Sequence, residues 1–228
     1  DVIEKNLKMA FPTWDETRRT QVGRESCHNL GMTLVEFARI PFVSEQAKSQ
    51  FLMEGLDKID EAKKKGKGVI LLTLHLGDID WAATGIALYG QPLTIISKEF
   101  SVRWINDLWF GVRRKMGTKF IAPRKSSLTI LKALKAHETV VFVLDQYMGP
   151  PIGIKTKFFG IDTGTAMGLA ILAQRSEAPV LLAYTYRLSD GRTFVGIDDE
   201  IPFVESVNKE DTIKDMTQVY NDHLEKYV

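Results

Sequence analysis

The stretch from His75 to Asp80 holds an imidazole and a carboxylate, the two groups that general-base catalysis often combines. It reads His-Leu-Gly-Asp-Ile-Asp and follows the apolar run 68–74, which predicts a buried strand. Open α/β sheets carry their chemistry at the carboxyl ends of such strands. If His75 lies in the turn after the strand and Asp80 in the first turn of a helix, both side chains point into one cleft. Gly77 makes that turn easy.

Spacing alone leaves two interpretations of this pair open. In the first, Asp80 fixes the tautomer of His75, and His75 acts as the general base. In the second, His75 is a hydrogen-bonded core histidine, and Asp78 or Asp80 caps a helix, a position where Asp is favoured.

The elements around the pair alternate between strands and helices. Strands are predicted at 69–74, 92–97, 119–121 and 139–145, with a hairpin formed by 179–187 and 192–197. A first helix is predicted to end at 11–12, and the next, at 13–40, begins with a capping box at Thr13 and Glu16. Further helices are predicted at 60–65, 80–88, 102–116, 127–136, 165–176 and 212–227. This order predicts an α/β fold with a central, largely parallel or mixed sheet flanked by helices on both faces.

Composition limits the classes of protein that fit. The 228 residues, 44% of them hydrophobic, predict a single domain over 1–228, with a helical portion at about 1–60 and an α/β core at about 61–228. The net charge of +1 gives no electrostatic bias towards nucleic acid. The chain has no apolar run of the roughly 20 residues that a membrane-spanning helix needs.

Several common catalytic motifs are absent from the sequence. It contains no Gly-x-Ser-x-Gly elbow, no phosphate-binding P-loop and no Gly-x-Gly-x-x-Gly fingerprint. Cys and His do not cluster at zinc-ligand spacing, so neither a metal nor a cofactor is predicted. A His-Asp pair without a Ser or Cys nucleophile indicates that the activated hydroxyl belongs to the substrate.

Four short motifs carry a family resemblance because they occur in a fixed order. They are His75 to Asp80, Arg113 to Gly117, Asp145-Gln146 and Phe158-Phe159-Gly160. Together they resemble the lipid A late acyltransferases, the lauroyl and myristoyl transferases within the glycerolipid acyltransferase superfamily. The family usually has Glu where this chain has Asp80, which shortens the side chain by one methylene.

The resemblance implies transfer of a fatty acyl chain from an acyl thioester on acyl carrier protein to a hydroxyl of a lipid A precursor. His75 and Asp80 would be the catalytic dyad, and Arg113, Asp145, Lys98 and Gln146 would bind substrate. Arg113 suits a phosphate, and Lys98 takes the place of a family arginine. Two alternatives stay open: Arg113 as a surface residue at a helix end, and Asp145 as a cap of the loop 146–153.

A membrane surface is the further partner that the resemblance implies, on the cytoplasmic face of a bacterial inner membrane. The chain would be peripheral as it stands, and the resemblance leads us to expect that it lacks the family's N-terminal anchor helix. Trp104, Leu108, Trp109 and Val112 recur at helical spacing, which is typical of an interfacial helix or of core packing. Two rival functions are a glycolipid acyltransferase of the phosphatidylinositol mannoside type that uses acyl-CoA, and a non-catalytic lipid-binding membrane module.

Overall fold

The computed structural model describes residues 2–97, 101–115, 117–122 and 126–228, without the side chains of residues 105, 112 and 113. The helices are α1 (Val2–Ala10), α2 (Glu16–Arg39), α3 (Asp57–Lys63), α4 (Ile79–Leu88), α5 (Arg103–Lys115), α6 (Ser127–Lys135), α7 (Gly168–Ser176) and α8 (Lys209–Glu225). The strands are β1 (Phe51–Glu54), β2 (Val69–Thr73), β3 (Leu93–Ile96), β4 (Lys119–Ile121), β5 (Thr139–Val143), β6 (Gly153–Phe158), β7 (Ile161–Ala166), β8 (Val180–Arg187) and β9 (Thr193–Glu200).

Within the described residues, the central sheet has seven strands in the order β1-β9-β8-β2-β5-β3-β4. The five strands from β8 to β4 run parallel to one another. β9 is antiparallel to β8, and β1 is parallel to β9, so two strands at one edge run in the opposite direction. β6 and β7 form a separate antiparallel hairpin. The predicted fold class, a largely parallel mixed sheet within an α/β fold, is confirmed.

Helices cover both faces of the sheet, and each face has its own core. On one face Ile70 and Leu72 of β2 pack in a buried cluster with residues of α6, α7 and α8. On the other face Leu71 of β2 packs in a cluster with Trp81 of α4 and residues of α3. Every residue of β2 is buried, because alternate side chains of a central strand enter opposite cores.

Several element boundaries differ from the sequence prediction. The capping box at Thr13 is wrong: α2 is capped by Asp15, whose Oδ1 accepts from the backbone N–H of Arg18 at 2.7 Å. The predicted helix at 165–176 begins only at Gly168, because residues 165 and 166 belong to β7. β1, which lies inside the portion expected to be helical, and the β6–β7 hairpin were not predicted.

No helix in the described ranges is both long enough and apolar enough to span a membrane. The longest, α2, carries charged residues along its length.

Two tyrosines near the end of the chain provide a test of the core. Tyr220 of α8 is fully buried between helix and sheet, its hydroxyl has no hydrogen-bond partner among the described residues, and burial raises its pKa. A buried hydroxyl without a partner is destabilising by about 1–3 kcal/mol. We therefore expect Tyr220→Phe to raise the free energy of unfolding by about 1 kcal/mol in urea denaturation.

Tyr227, just after α8, is the matched control, because its hydroxyl donates to the Asp198 carboxylate. Tyr227→Phe removes a hydrogen bond and should lower the free energy of unfolding by about 1 kcal/mol. Equal shifts in the same direction for both variants would contradict this account of Tyr220.

Candidate active site

The candidate site lies where the two central strands β2 and β5 end side by side. The strands are parallel, with Thr73 opposite Val143, and the backbone N–H of Leu144 donates to the Thr73 carbonyl at 3.1 Å. His75 follows Thr73 by two residues, and Asp145 follows Val143 by two residues. The shared register therefore carries both residues to the same point on the carboxyl edge of the sheet.

Asp145 contacts His75 at two points. One carboxylate oxygen, Oδ2, accepts from the backbone N–H of His75 at 2.9 Å, and the other, Oδ1, lies 2.7 Å from His75 Nδ1. A carboxylate only accepts hydrogen bonds, so Nδ1 carries the hydrogen and Nε2 is left with its lone pair. The ring is 50% exposed, so His75 is not a core histidine.

The electrostatics of this contact favour the charged imidazolium. The hydrogen bond to Asp145 raises the pKa of His75 above 6.5, partial burial works against that rise, and the Asp145 charge adds to it. A nearby carboxylate thus makes Nε2 a stronger base than the same ring would be in water.

The turn after His75 runs tightly against strand β8. Gly77 has φ +64°, and a Cβ atom built there would lie 2.6 Å from the carbonyl oxygen of Thr185. Any side chain at this position would clash with the β8 backbone, in a conformation that only Gly adopts readily. The prediction that Gly77 permits the turn is consistent with this geometry.

Asp78 caps the helix that follows the turn. Its Oδ1 accepts from the backbone N–H of Trp81 at 2.9 Å, which meets one of the unpaired donors at the start of α4. Asp80 lies in the first turn of α4, where the sequence analysis expected it. The orienting position at His75 Nδ1 is held by Asp145, and the orienting role of Asp80 stays a prediction.

The remaining predicted site residues are only partly described. Gln146 is exposed beside Asp145. Arg113 lies in α5, but its side chain is outside what the structure describes, and Lys98 lies outside the described residues altogether. Asp145 was not predicted from the sequence as the partner of His75, although its equal offset from a buried strand was a usable signal.

Two cavities lie near this edge of the sheet. An apolar one of about 30 Å³ lies between α4 and the sheet, against Thr73, Ile79 and Tyr184, and it has room for roughly one water-sized group. A more polar one of about 180 Å³ lies between α5 and β4, against Ser97, Asp107 and Arg114. Within the described ranges, no group of His, Cys, Asp or Glu side chains could hold a metal ion.

The aromatic stripe of α5 divides into a packed part and an exposed part. Trp109 stacks on Phe37 of α2 with ring centroids 4.0 Å apart, whereas Trp104 is 69% exposed and Leu108 is also exposed. Helix α5 contacts α2 through this stack and also contacts the 3-10 turn at Ile40–Phe42. We define the apolar surface as the exposed large apolar residues of these three elements among the described side chains, Leu30, Leu34, Val35, Phe42, Trp104 and Leu108.

Relatives of this chain are found among the lipid A biosynthesis acyltransferases. A Haemophilus influenzae lipid A biosynthesis acyltransferase is 26% identical over 99% of this chain and 70% of its own length. The Escherichia coli lipid A biosynthesis palmitoleoyltransferase is 27% identical over 83% of this chain and 62% of its own length. The chain thus spans between 62% and 70% of the length of these two relatives.

Among solved structures, the crystal structure of the 1-acyl-sn-glycerophosphate acyltransferase from Thermotoga maritima covers 97% of this chain and is itself covered to 91%. Its TM-score is 0.44 and its identity is 14%.

The family profile described as bacterial lipid A biosynthesis acyltransferase matches residues 1–228. A match over the whole chain means that this protein belongs to the bacterial lipid A biosynthesis acyltransferase family.

Proposed function

We propose that the chain carries the active site of an O-acyltransferase that moves a fatty acyl chain from a thioester, on acyl carrier protein, to a hydroxyl of a lipid A precursor. The observation that carries the proposal is the contact between His75 and Asp145, which leaves Nε2 of a half-exposed ring as a base at the carboxyl edge of the sheet. Family membership supplies the class of donor and acceptor.

The proposed reaction is a single direct transfer. His75 Nε2 takes the proton of the acceptor hydroxyl while the hydroxyl oxygen attacks the thioester carbonyl carbon. The new C–O bond forms, the C–S bond breaks, and the imidazolium returns its proton to the departing thiolate as a thiol. Asp145 keeps the hydrogen on Nδ1 and stabilises the imidazolium between these two proton transfers.

The acceptor is proposed to lie on the β3 side of Asp145. Lys98 and Arg113 would bind its phosphate groups, for which guanidinium offers paired donors and ammonium a point charge. Gln146, exposed next to Asp145, would contact the acceptor sugar. The polar cavity between α5 and β4 supports this arrangement because it opens at the end of β3 and includes Arg114.

We also propose that the protein works as a peripheral protein on the cytoplasmic face of a bacterial inner membrane. The apolar surface supports this, since Phe42 is 84% exposed and Trp104 is 69% exposed. Cationic side chains of α5 accompany it, namely the exposed Arg103, Arg114 and Lys115. Exposed aromatic and aliphatic residues beside basic ones favour the interface of an anionic bilayer.

The first test replaces the proposed base. His75→Gln should lower kcat by about 10²- to 10⁴-fold with acyl-thioester donor and lipid A precursor, because general-base catalysis contributes that much. The exposed His137, after α6, is the control, and His137→Gln should keep normal turnover. Near-normal activity of a folded His75→Gln protein would rule out His75 as the base, whereas absence of acyl transfer in the wild type would favour the rival function, a non-catalytic lipid-binding module. Preference for acyl-CoA and a mannosylated lipid would favour the other rival.

The second test separates the two candidate orienting carboxylates. Asp145→Asn presents an amide donor to Nδ1 and favours the wrong tautomer, so kcat should fall on the order of 10²-fold or more. Asp80→Asn should cost less activity. The reverse order of losses would restore Asp80 as the orienting residue.

The pH profile gives an independent readout of the same contact. Only the neutral ring accepts a proton, so kcat/KM should rise with pH through the pKa of His75, which lies above 6.5. In Asp145→Asn the imidazolium loses its anionic partner, and the acidic limb of the profile should move to lower pH. An unmoved limb would contradict the proposed contact.

The third test concerns the apolar surface. Trp104→Ala with Leu108→Ala should weaken binding to vesicles of mixed zwitterionic and anionic phospholipid by about tenfold or more, since each large side chain contributes about 1.5–3 kcal/mol on burial. Added salt should weaken binding of the wild type as well. Val207, 98% exposed before α8, provides the control Val207→Ser, for which binding should not change. Equal binding by all three proteins would sink the membrane proposal.

A further inference from the structure

Three ionisable side chains are packed together where α2, β8 and the turn after His75 meet. Glu36 of α2 is only 3% exposed, and Arg187 at the end of β8 donates hydrogen bonds to its carboxylate from both terminal nitrogens. Nη2 donates to Oε2 at 2.6 Å, and Nη1 donates to Oε1. Such a paired geometry is the strongest form of a carboxylate–guanidinium contact.

Asp78 is the third member, and it is 5% exposed. Its Oδ1 caps α4, but its Oδ2 and the Nε of Arg187 are both buried without a hydrogen-bond partner among the described residues. A buried carboxylate that accepts a single backbone hydrogen bond is costly to keep charged. The geometry alone therefore leaves one carboxylate oxygen in need of a proton or a cation.

The charges that face Asp78 from each neighbouring element do not cancel. α2 contributes Glu36, α4 contributes Asp80 and β8 contributes Arg187, while the guanidinium of Arg39 lies over the Trp81 ring at 5.3 Å. The pKa of Asp78 is raised to about 7, mainly by burial and further by the negative charges of Asp80 and Glu36. With one proton held, Glu36, Asp78 and Arg187 together are electrically neutral.

We propose that Asp78 holds a carboxyl proton beside Glu36, so that the three residues form a positioning cluster that ties α2 and β8 to the turn carrying His75. The inference rests on the proposed function only for the role of His75. Asp78 is three residues from His75 and begins α4, so a displaced cap would move the turn. Glu36 lies on α2, the helix that also carries Leu30 and Leu34 of the apolar surface. The buried cluster therefore connects that surface to the turn carrying His75.

The first experiment is a double-mutant cycle measured by urea unfolding, which needs no substrate. In Asp78→Asn the amide N–H replaces the carboxyl proton and the amide oxygen still caps α4. In Glu36→Gln an ionised Asp78 becomes the counter-charge of Arg187. Each single variant should change the unfolding constant by less than about tenfold, because each keeps the cluster neutral.

The double variant Glu36→Gln/Asp78→Asn leaves Arg187 buried without a carboxylate. Its unfolding constant should exceed the product of the two single effects by about tenfold to hundredfold. A double variant that no longer folds while both single variants do would give the same answer. Additive effects would overturn the cluster. Glu177→Gln, at the exposed pair with Lys67, is the control for simple loss of a carboxylate.

The pH dependence of unfolding tests whether Asp78 is the residue that holds the proton. The folded protein binds the Asp78 proton more tightly than the unfolded chain, so stability is greatest below the ordinary Asp value and falls as pH rises to about 7. Relative to Asp78→Asn, the unfolding constant of the wild type should rise about tenfold per pH unit between pH 5 and 7 and then level off. Parallel pH profiles would overturn the proposal.

The positioning role has its own readout in the proposed reaction. Asp78→Asn should keep kcat, whereas Asp78→Leu, which can neither cap α4 nor hold a proton beside Glu36, should lower kcat while KM for the acceptor changes little. Equal loss in both variants, or a loss confined to KM, would contradict positioning. If acyl transfer fails in the wild type but the unfolding cycle couples, the proposed function is wrong and the cluster stands.

Discussion

The parallel register of β2 and β5 is the constraint on which the site depends. Thr73 opposes Val143, and from there both chains run two residues further, to His75 and Asp145. A slip of one residue would turn every β5 side chain to the opposite face and take Asp145 away from the ring. The apolar residues of both strands resist such a slip, because Ile70, Leu72 and Val140 are fully buried on one face. The cores on the two faces of the sheet thus hold the geometry of the candidate site.

The turn after His75 shows how closely local chemistry supports that register. Gly77 presses against the Thr185 carbonyl, and Asp78 begins α4 by capping it. Both contacts fix the backbone that leaves His75, one from the β8 side and one from the helix side. Because Asp145 also binds the backbone N–H of His75, the histidine is restrained at its main chain and at its ring.

Much of this fold could be predicted from sequence, for reasons visible in particular elements. β2 and β5 are continuous apolar runs, and the β8–β9 hairpin has a Ser-Asp-Gly turn, so composition reveals them directly. The β6–β7 hairpin was not predicted because it is rich in Thr and Lys rather than in apolar residues. The hydroxyls of its buried Thr156 and Thr165 hydrogen-bond to each other and to Asn221. β1 is four residues long and partly exposed, too short for periodicity to identify.

The pairing within the candidate site was not predictable from local sequence. Local spacing led to Asp80 as the partner of His75, whereas the contact seen at Nδ1 joins residues 70 positions apart. Which strand lies beside β2 is decided by tertiary structure, and nothing local in the sequence reports it. The same limit applies to α5, where helical spacing grouped Trp104 with Trp109. Only the position of Phe37 on α2 decides that one ring is packed and the other exposed.

Two aspartates close to His75 differ in role because their surroundings differ. Asp145 accepts two N–H groups from His75 at a partly exposed edge, and this contact raises the pKa of the His75 ring. Asp78 is buried, accepts one backbone N–H and faces Glu36 and Asp80, an environment that favours the neutral acid. The two identical side chains therefore differ in their effect: Asp145 raises the pKa of the His75 ring, whereas Asp78 is proposed to hold a proton of its own. The difference between Asp145 and Asp78 comes from burial and from neighbouring groups, because the residue type is the same.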